Sequence, residues 1–288
     1  MAGALAAVGP RPDALTANRE VKKGYAERLS RELALMVAAC LRPKYKTARL
    51  TPREDGTGQE YTVGGKIDSK KTDVGVWDDA AGLILGVSIK TYSFRDFHKA
   101  RDGKPAYVGR YARNVKRNDM ELRDEADILH RRQPYAVLVA LFFLPENACW
   151  DGVTGHSSFA HIVFTLRKRT GRQAADAARY DLFESVYVAL YRDDGSLRFF
   201  DVRQAPPLNQ PPAESTTITL AELVDSMTET VTVRNVGVTE AERYAPADPA
   251  WAAPADSLPS GLQEEPPLDF NTVLATAESD LDVEDSDE

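Results

Sequence analysis

Helical periodicity marks three stretches of the chain. In residues 18–41 the apolar positions lie three or four residues apart and Pro43 ends the pattern; these positions are Tyr25, Leu29, Leu33, Met36 and Cys40. Residues 114–131 carry a similar stripe, formed by Val115, Leu122, Ala126 and Leu129. Residues 220–231 are a third, shorter stretch. Apolar residues at this spacing line one face of an α-helix, so we predict three helices.

Strand patterns lie between and after these helices. Residues 72–77 and 83–91 alternate apolar and polar positions around a turn at 78–82, which predicts a β-hairpin. The apolar run 135–144 predicts a buried central strand, and residues 159–166 predict another strand. Residues 185–191 and 197–202 flank the turn sequence Asp-Asp-Gly-Ser and predict a second hairpin. Residues 51–58 and 94–109 predict a loop and an irregular segment. This order predicts one α/β domain around a mixed sheet.

Charge is divided unevenly along the chain, whose net charge is −8. Residues 245–288 hold 12 Asp and Glu and no Lys or Arg, so the rest has 36 basic against 32 acidic residues, a net charge of +4. We predict a flexible N-terminus (1–17), a folded domain (18–244) and a disordered acidic C-terminal tail (245–288). The basic excess is concentrated in residues 90–132, where 12 Lys and Arg face 7 Asp and Glu. The chain without its tail could therefore bind a polyanion, whereas the acidic tail would repel one.

The compartment follows from what the sequence lacks. We find no apolar run of about 18 residues, so we predict no membrane span, and the N-terminus lacks the pattern of a signal peptide. Cys40 and Cys149 are the two cysteines, too few for a disulfide framework. Together with His156 and His161, Cys149 is also badly spaced for a zinc site. We therefore expect a reducing, cytoplasmic setting.

The first predicted hairpin carries the candidate chemistry. Side chains alternate between the two faces of a strand, so Val74 and Val76 share one face with the apolar positions of the second strand, Leu85, Val87 and Ile89. Asp73, Ser88 and Lys90 then gather on the other face, beside Gly75 and Gly86, whose small size leaves room for a bulky group. A carboxylate is a hard ligand for Mg²⁺, and a nearby lysine can orient water or stabilise charge on a phosphodiester. This pair is half of a phosphodiester-hydrolysing site.

Asp73, fourteen intervening residues and then Ser88-Ile89-Lys90 resemble the PD-(D/E)xK motif of type II restriction endonucleases and related nucleases. The resemblance implies a restriction-endonuclease-like mixed β-sheet flanked by helices. It also implies Mg²⁺ held by Asp73, a second carboxylate and the main-chain carbonyl of Ile89, with Lys90 serving the attacking water. Thr72 stands where the motif has proline, and Ser88 stands where it has an acid.

One branch of restriction enzymes that cut CCGG-like sites also has a Ser-x-Lys strand, and its missing carboxylate comes from the following helix. The predicted helix 114–131 offers Glu121 and Glu125, which lie roughly 100° and 60° from Leu122 on a helical wheel, on the same flank of the apolar stripe. Glu121 is the first choice because its spacing to Pro134 resembles that branch better, and Glu125 stays open. The resemblance covers roughly residues 64–144.

Other charged residues have weaker claims. Glu27 and Glu32 lie on the first predicted helix, where an acid completes the metal site in many relatives, although a solvated helix face is the simpler interpretation. Seven basic residues are candidates for phosphate contacts, although for each one taken singly an ordinary surface charge is the simpler interpretation: Lys66, Lys70, Lys71, Arg95, Arg113, Lys116 and Arg117. Glu121 can also simply pair with Arg117, four residues before it.

The sequence therefore favours a magnesium-dependent endodeoxyribonuclease, and first a site-specific type II restriction endonuclease. Palindromic double-stranded DNA is best matched by a two-fold symmetric homodimer, with a companion methyltransferase as a further partner. Three alternatives stay open. They are a repair, recombination or phage-defence nuclease of the same fold, a catalytically inactive DNA-binding homologue, and an interaction protein whose acidic tail is the functional part.

Overall fold

The computed structural model describes residues 1–58, 61–64, 69–78, 82–98, 107–152, 155–175, 177–239, 242–243 and 245. Of the predicted acidic tail it includes Ala245, and the rest of that prediction lies outside the described residues, as does Lys66. Within these ranges no helix is long and apolar enough to cross a membrane.

Five described helices carry the labels α1 to α5: Ala2–Val8, Arg19–Leu41, Val115–Arg132, Ser158–Leu166 and Leu220–Asn235. The strands β1 to β5 are Arg49–Thr51, Tyr61–Gly64, Ser69–Thr72, Val74–Asp78 and Gly82–Thr91. The strands β6 to β11 are Phe97–His98, Tyr107–Val108, Val137–Pro145, Ser185–Tyr191, Leu197–Asp201 and Thr217–Ile218. Short 3-10 turns occupy Glu146–Cys149, Arg167–Arg169 and Glu214–Thr216.

Seven of the described strands form one mixed sheet in the order β1-β4-β5-β8-β9-β10-β11. The three central strands β5, β8 and β9 run parallel to one another, with Ser88 opposite Ala140 and Lys90 opposite Phe142. The flanking strands β4 and β10 are antiparallel to their central neighbours. Strand β3 pairs with β2 and β6 pairs with β7, each in a separate two-stranded sheet. The predicted α/β class with a mixed sheet is therefore confirmed.

Helices cover both faces of the sheet. Helices α2 and α5 pack on one face, against the apolar set Val74, Val76, Leu85, Val87 and Ile89. Helices α3 and α4 pack on the other face, against Leu138, Ala140, Phe142 and Leu144 of β8. Strand β8 is buried along its whole length and alternates between the two cores, as expected for a central strand covered on both sides.

Most predicted elements match the structure to within a few residues. The two hairpins are present, and in the second one Gly195 has the positive φ of 87° that a tight turn favours. Helix α2 begins where the Asn18 side chain accepts a hydrogen bond from the Val21 amide, as an N-cap should. Helix α5 begins at a capping box between Thr219 and Glu222.

The strand predicted at 159–166 is wrong, because these residues form helix α4. Its buried residues Phe159, Ile162, Val163 and Leu166 follow helical spacing, and the Ser157 side chain caps the helix by accepting from the Ala160 amide. A short apolar run is compatible with a buried strand, but the spacing of its buried residues is that of a helix. The loose start predicted before residue 18 also contains the short helix α1, which packs against α2 through Ala4 and Val8.

Candidate active site

Strand β5 and helix α3 are joined by three side-chain contacts that follow one another along both elements. Ser88 contacts Glu125, Lys90 contacts Glu121, and Tyr92, just after the strand, contacts Asn118. Two residues of a strand advance about 6.6 Å and four residues of a helix advance about 6 Å. Because these steps nearly match, alternate residues of β5 meet successive turns of α3. The predicted Ser88, Lys90, Glu121 and Glu125 are thus brought together.

The contact between Ser88 and Glu125 lies in the interior. The Ser88 hydroxyl donates to Oε1 of Glu125, and the two residues are 2% and 6% exposed. A carboxylate from α3 therefore reaches the position on β5 where the PD-(D/E)xK pattern has its own acid. Its burial is large for a glutamate, since acids are rarely buried without a partner that compensates for lost hydration.

The contact between Lys90 and Glu121 lies nearer the surface. Lys90 Nζ is 3.4 Å from Oε2 of Glu121, and Arg117 Nε donates to Oε1 at 2.8 Å. Partial burial by itself raises the pKa of Glu121, but the positive charges of Lys90 and Arg117 outweigh it and hold that pKa below its usual range. Glu121 is therefore ionised at neutral pH and fixes the end of the Lys90 side chain.

The contact between Tyr92 and Asn118 was not anticipated from the sequence. Asn118 Nδ2 donates to the Tyr92 hydroxyl at 2.5 Å, and the Tyr92 ring stacks on Phe142 at 6.0 Å between centroids. Burial raises the pKa of Tyr92, so its hydroxyl stays protonated. The sequence signal for this Tyr92–Asn118 contact is the alternation along the strand, which continues from Ser88 and Lys90 to Tyr92.

Asp73 approaches the same part of β5 from the other side. It lies in the bend between β3 and β4, and its Oδ2 accepts a hydrogen bond from the Ile89 amide at 2.6 Å. Asp73 and Glu125 therefore contact neighbouring residues of β5, Asp73 through the Ile89 amide and Glu125 through the Ser88 hydroxyl. The N–H and C=O of one residue in an extended strand point to the same side. We infer that the Ile89 carbonyl also points toward the edge occupied by Asp73.

The donor chemistry of this cluster fits Mg²⁺. Within the described ranges, no three acid, histidine or cysteine side chains converge into a ready-made metal site. The set available is two carboxylates, Asp73 and Glu125, with a main-chain carbonyl at Ile89. Magnesium prefers such hard oxygens, keeps several waters, and is often held by one or two carboxylates together with substrate phosphates. The residues therefore suit a magnesium ion whose coordination is completed by water and phosphate.

The space expected beside Gly75 and Gly86 is filled, which corrects the sequence interpretation. A β-carbon on Gly75 would collide with the Trp77 indole, and one on Gly86 would meet Leu138 and Thr72. These two glycines face each other across the β4–β5 pair. They are small because neighbouring side chains pack over them, not because a ligand approaches the backbone.

For Glu27, Glu32, Arg95 and Arg113, the structure favours the simpler interpretations. Glu27 is exposed and its carboxylate lies 3.7 Å from Lys23 Nζ. Glu27 and Glu32 both belong to α2, which packs on the sheet face opposite Ser88 and Lys90. Arg95 donates to the carbonyl of Gly109, and Arg113 lies 3.8 Å from Asp96. Lys71 and Lys116 are exposed.

A buried ionic cluster at the other end of α3 was also missed. The Glu184 carboxylate accepts from the Leu138 amide at 2.7 Å and from Arg172 at 3.1 Å, and lies 2.9 Å from Arg234 and 3.4 Å from His130 of α3. Burial opposes ionisation, but these partners prevail and lower the pKa of Glu184 to about 2. The cluster joins α3, β8 and α5 through residues that are far apart in sequence, so no local pattern reveals it.

Searches for similar proteins do not add a relative. No protein-family model, curated protein or solved structure was found to match this chain. The residues and their geometry therefore carry the functional inference.

Proposed function

We propose that this protein is a magnesium-dependent endonuclease that cleaves double-stranded DNA, and first a site-specific restriction endonuclease of type II. The observation that carries the proposal is that two carboxylates contact consecutive residues of β5 just before Lys90: Glu125 contacts the Ser88 hydroxyl and Asp73 the Ile89 amide. Hydrolysis of a phosphodiester needs a divalent cation, a positioned water and a cation near the developing charge. The cluster offers residues for each of these tasks.

Asp73, Glu125 and the Ile89 carbonyl would hold the magnesium ion. When bound, Mg²⁺ supplies a Lewis acid that polarises the phosphate and stabilises negative charge on it. The contact with Glu125 leads us to prefer this residue over Glu121 as the second ligand, since it reaches the strand beside Ile89. The Ser88 hydroxyl would orient the Glu125 carboxylate, as partners of metal-binding carboxylates commonly do.

Lys90 would orient the attacking water and stabilise charge on the phosphate. Its ammonium group lies beside Glu121, which is itself bound by Arg117. This arrangement restrains a flexible side chain, and a restrained catalytic group reacts at lower entropic cost. Glu121 is in this proposal a positioning residue for Lys90.

The biological setting is part of the same proposal. A homodimer would present two such sites to the two strands of a palindromic sequence, leaving 5′-phosphate ends. We place the enzyme in the cytoplasm, with a companion methyltransferase protecting the host DNA.

Incubation of the purified protein with plasmid and phage DNA tests the proposal. We expect discrete fragments with Mg²⁺ and none with a chelator. Asp73→Asn and Lys90→Ala should each lower the cleavage rate at least 100-fold while leaving thermal unfolding unchanged, whereas Glu229→Gln, at an exposed acid of α5, should cleave like the wild type.

The alternatives predict other outcomes. A smear instead of discrete fragments would identify a nuclease without sequence specificity. DNA binding without Mg²⁺ binding or cleavage would identify an inactive homologue. Full activity in Asp73→Asn or Lys90→Ala would refute the site.

A further inference from the structure

Two loops meet beside the candidate active site, because β5 and β8 are parallel neighbours and end at the same edge of the sheet. The chain after β5 leads to Arg110 and then to α3, and the chain after β8 leads through His156 to α4. The Tyr111 amide joins the two by lying 3.2 Å from Asp151 and 2.9 Å from the Ser158 hydroxyl. In open α/β sheets, ligands bind outside the carboxyl ends of such parallel strands.

Imidazole and aromatic rings cluster on the second of these loops and on α4. The rings of His156 and His161 lie 5.6 Å apart, and His156 meets Phe164 edge-on at 6.1 Å. Phe164 is 45% exposed, and the Arg167 guanidinium lies 5.8 Å from its ring. The sequence showed these histidines only as badly spaced for a zinc site, and the structure brings their rings together on α4 and the loop before it.

Two basic side chains, Arg110 of the first loop and Lys116 of α3, are neighbours of His161. Burial lowers the pKa of His161, and so do its neighbours His156, Arg110 and Lys116. Lys116 is exposed, and it precedes Arg117, whose side chain is 79% exposed and contacts Glu121 of the candidate site. Lys116 is therefore the sequence neighbour of Arg117, which contacts the residue that positions Lys90.

Two acids in the described parts of these loops, Asp151 and Asp96, are turned inward or paired. Asp151 is 8% exposed and accepts from the amide and hydroxyl of Ser158 at 2.7 and 2.6 Å. Asp96 lies 3.8 Å from Arg113. Neither carboxylate is therefore directed at the imidazoles, and the described part of this edge presents the basic side chains of Arg110 and Lys116 beside them.

We propose that Arg110, Lys116, His156 and His161 form a phosphate-binding surface that holds the DNA backbone beside the scissile bond. This inference rests on the proposed function for the identity of the polyanion. The two cations would neutralise backbone phosphates and release counterions, and the imidazoles would donate hydrogen bonds to phosphate oxygens.

Binding of a fluorescent 20-base-pair duplex in chelator, measured by anisotropy at several salt concentrations, tests the surface without cleavage. Lys116→Ala and Arg110→Ala should each weaken binding about five- to tenfold at 0.1 M salt and reduce the salt slope by about 0.9. Arg110→Lys should keep the slope, which controls for misfolding. His161→Gln should weaken binding at pH 8 with an unchanged slope, because a neutral ring releases no counterion.

Lys46→Ala is the matched control. Tyr25 of α2 packs on Phe94, just after β5, with 5.6 Å between ring centroids. From Tyr25 the helix extends about 24 Å to its last residue, Leu41, and the exposed Lys46 follows beyond that end. If Lys116→Ala and Arg110→Ala bind DNA as Lys46→Ala does, the surface is refuted even in an active nuclease. If the wild type never cleaves but the variants still weaken binding, the surface stands and the proposed function fails.

Discussion

The Ser88 hydroxyl of β5 donates a hydrogen bond to the Glu125 carboxylate of α3, thirty-seven residues further along the chain. A helix thereby supplies an acid at a strand position that itself holds a serine. This contact requires α3 to pack on β5 with one defined rotation about the helix axis. In that orientation Glu125 is nearly buried, and Glu121, one turn earlier, reaches Lys90.

Glu125→Gln should separate the charge of this residue from its shape. The amide preserves the volume and can still accept from Ser88, but it is a weaker ligand for Mg²⁺. We expect Mg²⁺ affinity to fall about 10- to 100-fold, with a comparable loss of DNA cleavage. Isothermal titration with Mg²⁺ and timed cleavage assays measure the two effects.

Ser88→Ala is the matched variant, since it removes the hydroxyl and leaves the carboxylate. We expect a smaller loss, about tenfold in Mg²⁺ affinity, because Glu125 remains but is less well oriented. Wild-type Mg²⁺ affinity in Glu125→Gln would exclude this residue as a ligand and return Glu121 to first place.

Tyr92→Phe should reveal how far the outermost β5–α3 contact stabilises the fold. The ring still packs on Phe142, but Asn118 Nδ2 loses its acceptor, and a polar group left without a partner costs about 1–2 kcal/mol. Urea unfolding of Tyr92→Phe, Asn118→Ala and the double variant measures this. The double variant should be about 1 kcal/mol less destabilised than the sum of the two single variants. Strict additivity would show that the pair contributes nothing.

Glu184 makes the free energy of unfolding depend on acid pH. Its pKa is about 2 in the folded protein, against the ordinary value of 4.5 that applies in the unfolded chain. The unfolded chain therefore binds the proton more tightly. The stabilisation is complete above about pH 4.5 and is lost as the pH falls toward 2. At pH 7, Glu184→Gln should cost about 3 kcal/mol, because it leaves buried arginines without their counter-ion.

Urea unfolding of the wild type and Glu184→Gln between pH 7 and pH 3 measures this dependence. The difference between the two proteins should narrow as the pH falls, and Glu229→Gln should track the wild type throughout. A difference independent of pH would show that the Glu184 charge is not the stabilising feature.

Removal of the acidic residues after Tyr244 should tighten nonspecific DNA binding at low salt. The deletion takes away 12 acidic residues and leaves a body of net charge +4, so repulsion of the DNA backbone decreases. The effect should fade by about 0.3 M salt because of screening. Anisotropy of the full-length and shortened proteins on one duplex measures it, and identical affinities would indicate a tail without influence on binding.

Much of the candidate site follows from local pattern. Strand alternation placed Asp73, Ser88 and Lys90 away from the apolar face, and helical periodicity placed Glu121 and Glu125 on one flank of α3. The same approach predicted a strand where α4 lies, because a short apolar run is compatible with either a buried strand or a helix. It also assigned open space to Gly75 and Gly86, since a sequence does not show which side chains pack over a glycine.

The sequence by itself determined the order of most elements, the buried and polar faces of β4, β5 and α3, and the residue types available for chemistry. The tertiary structure decided which glutamate meets Ser88 and which meets Lys90, that Tyr92 pairs with Asn118, and that His130 and Glu184 share a buried cluster. The reason is physical. Periodicity is encoded within a few residues, whereas contacts between residues 26 to 54 apart depend on how Leu122, Ala126 and Leu129 seat α3 on the sheet.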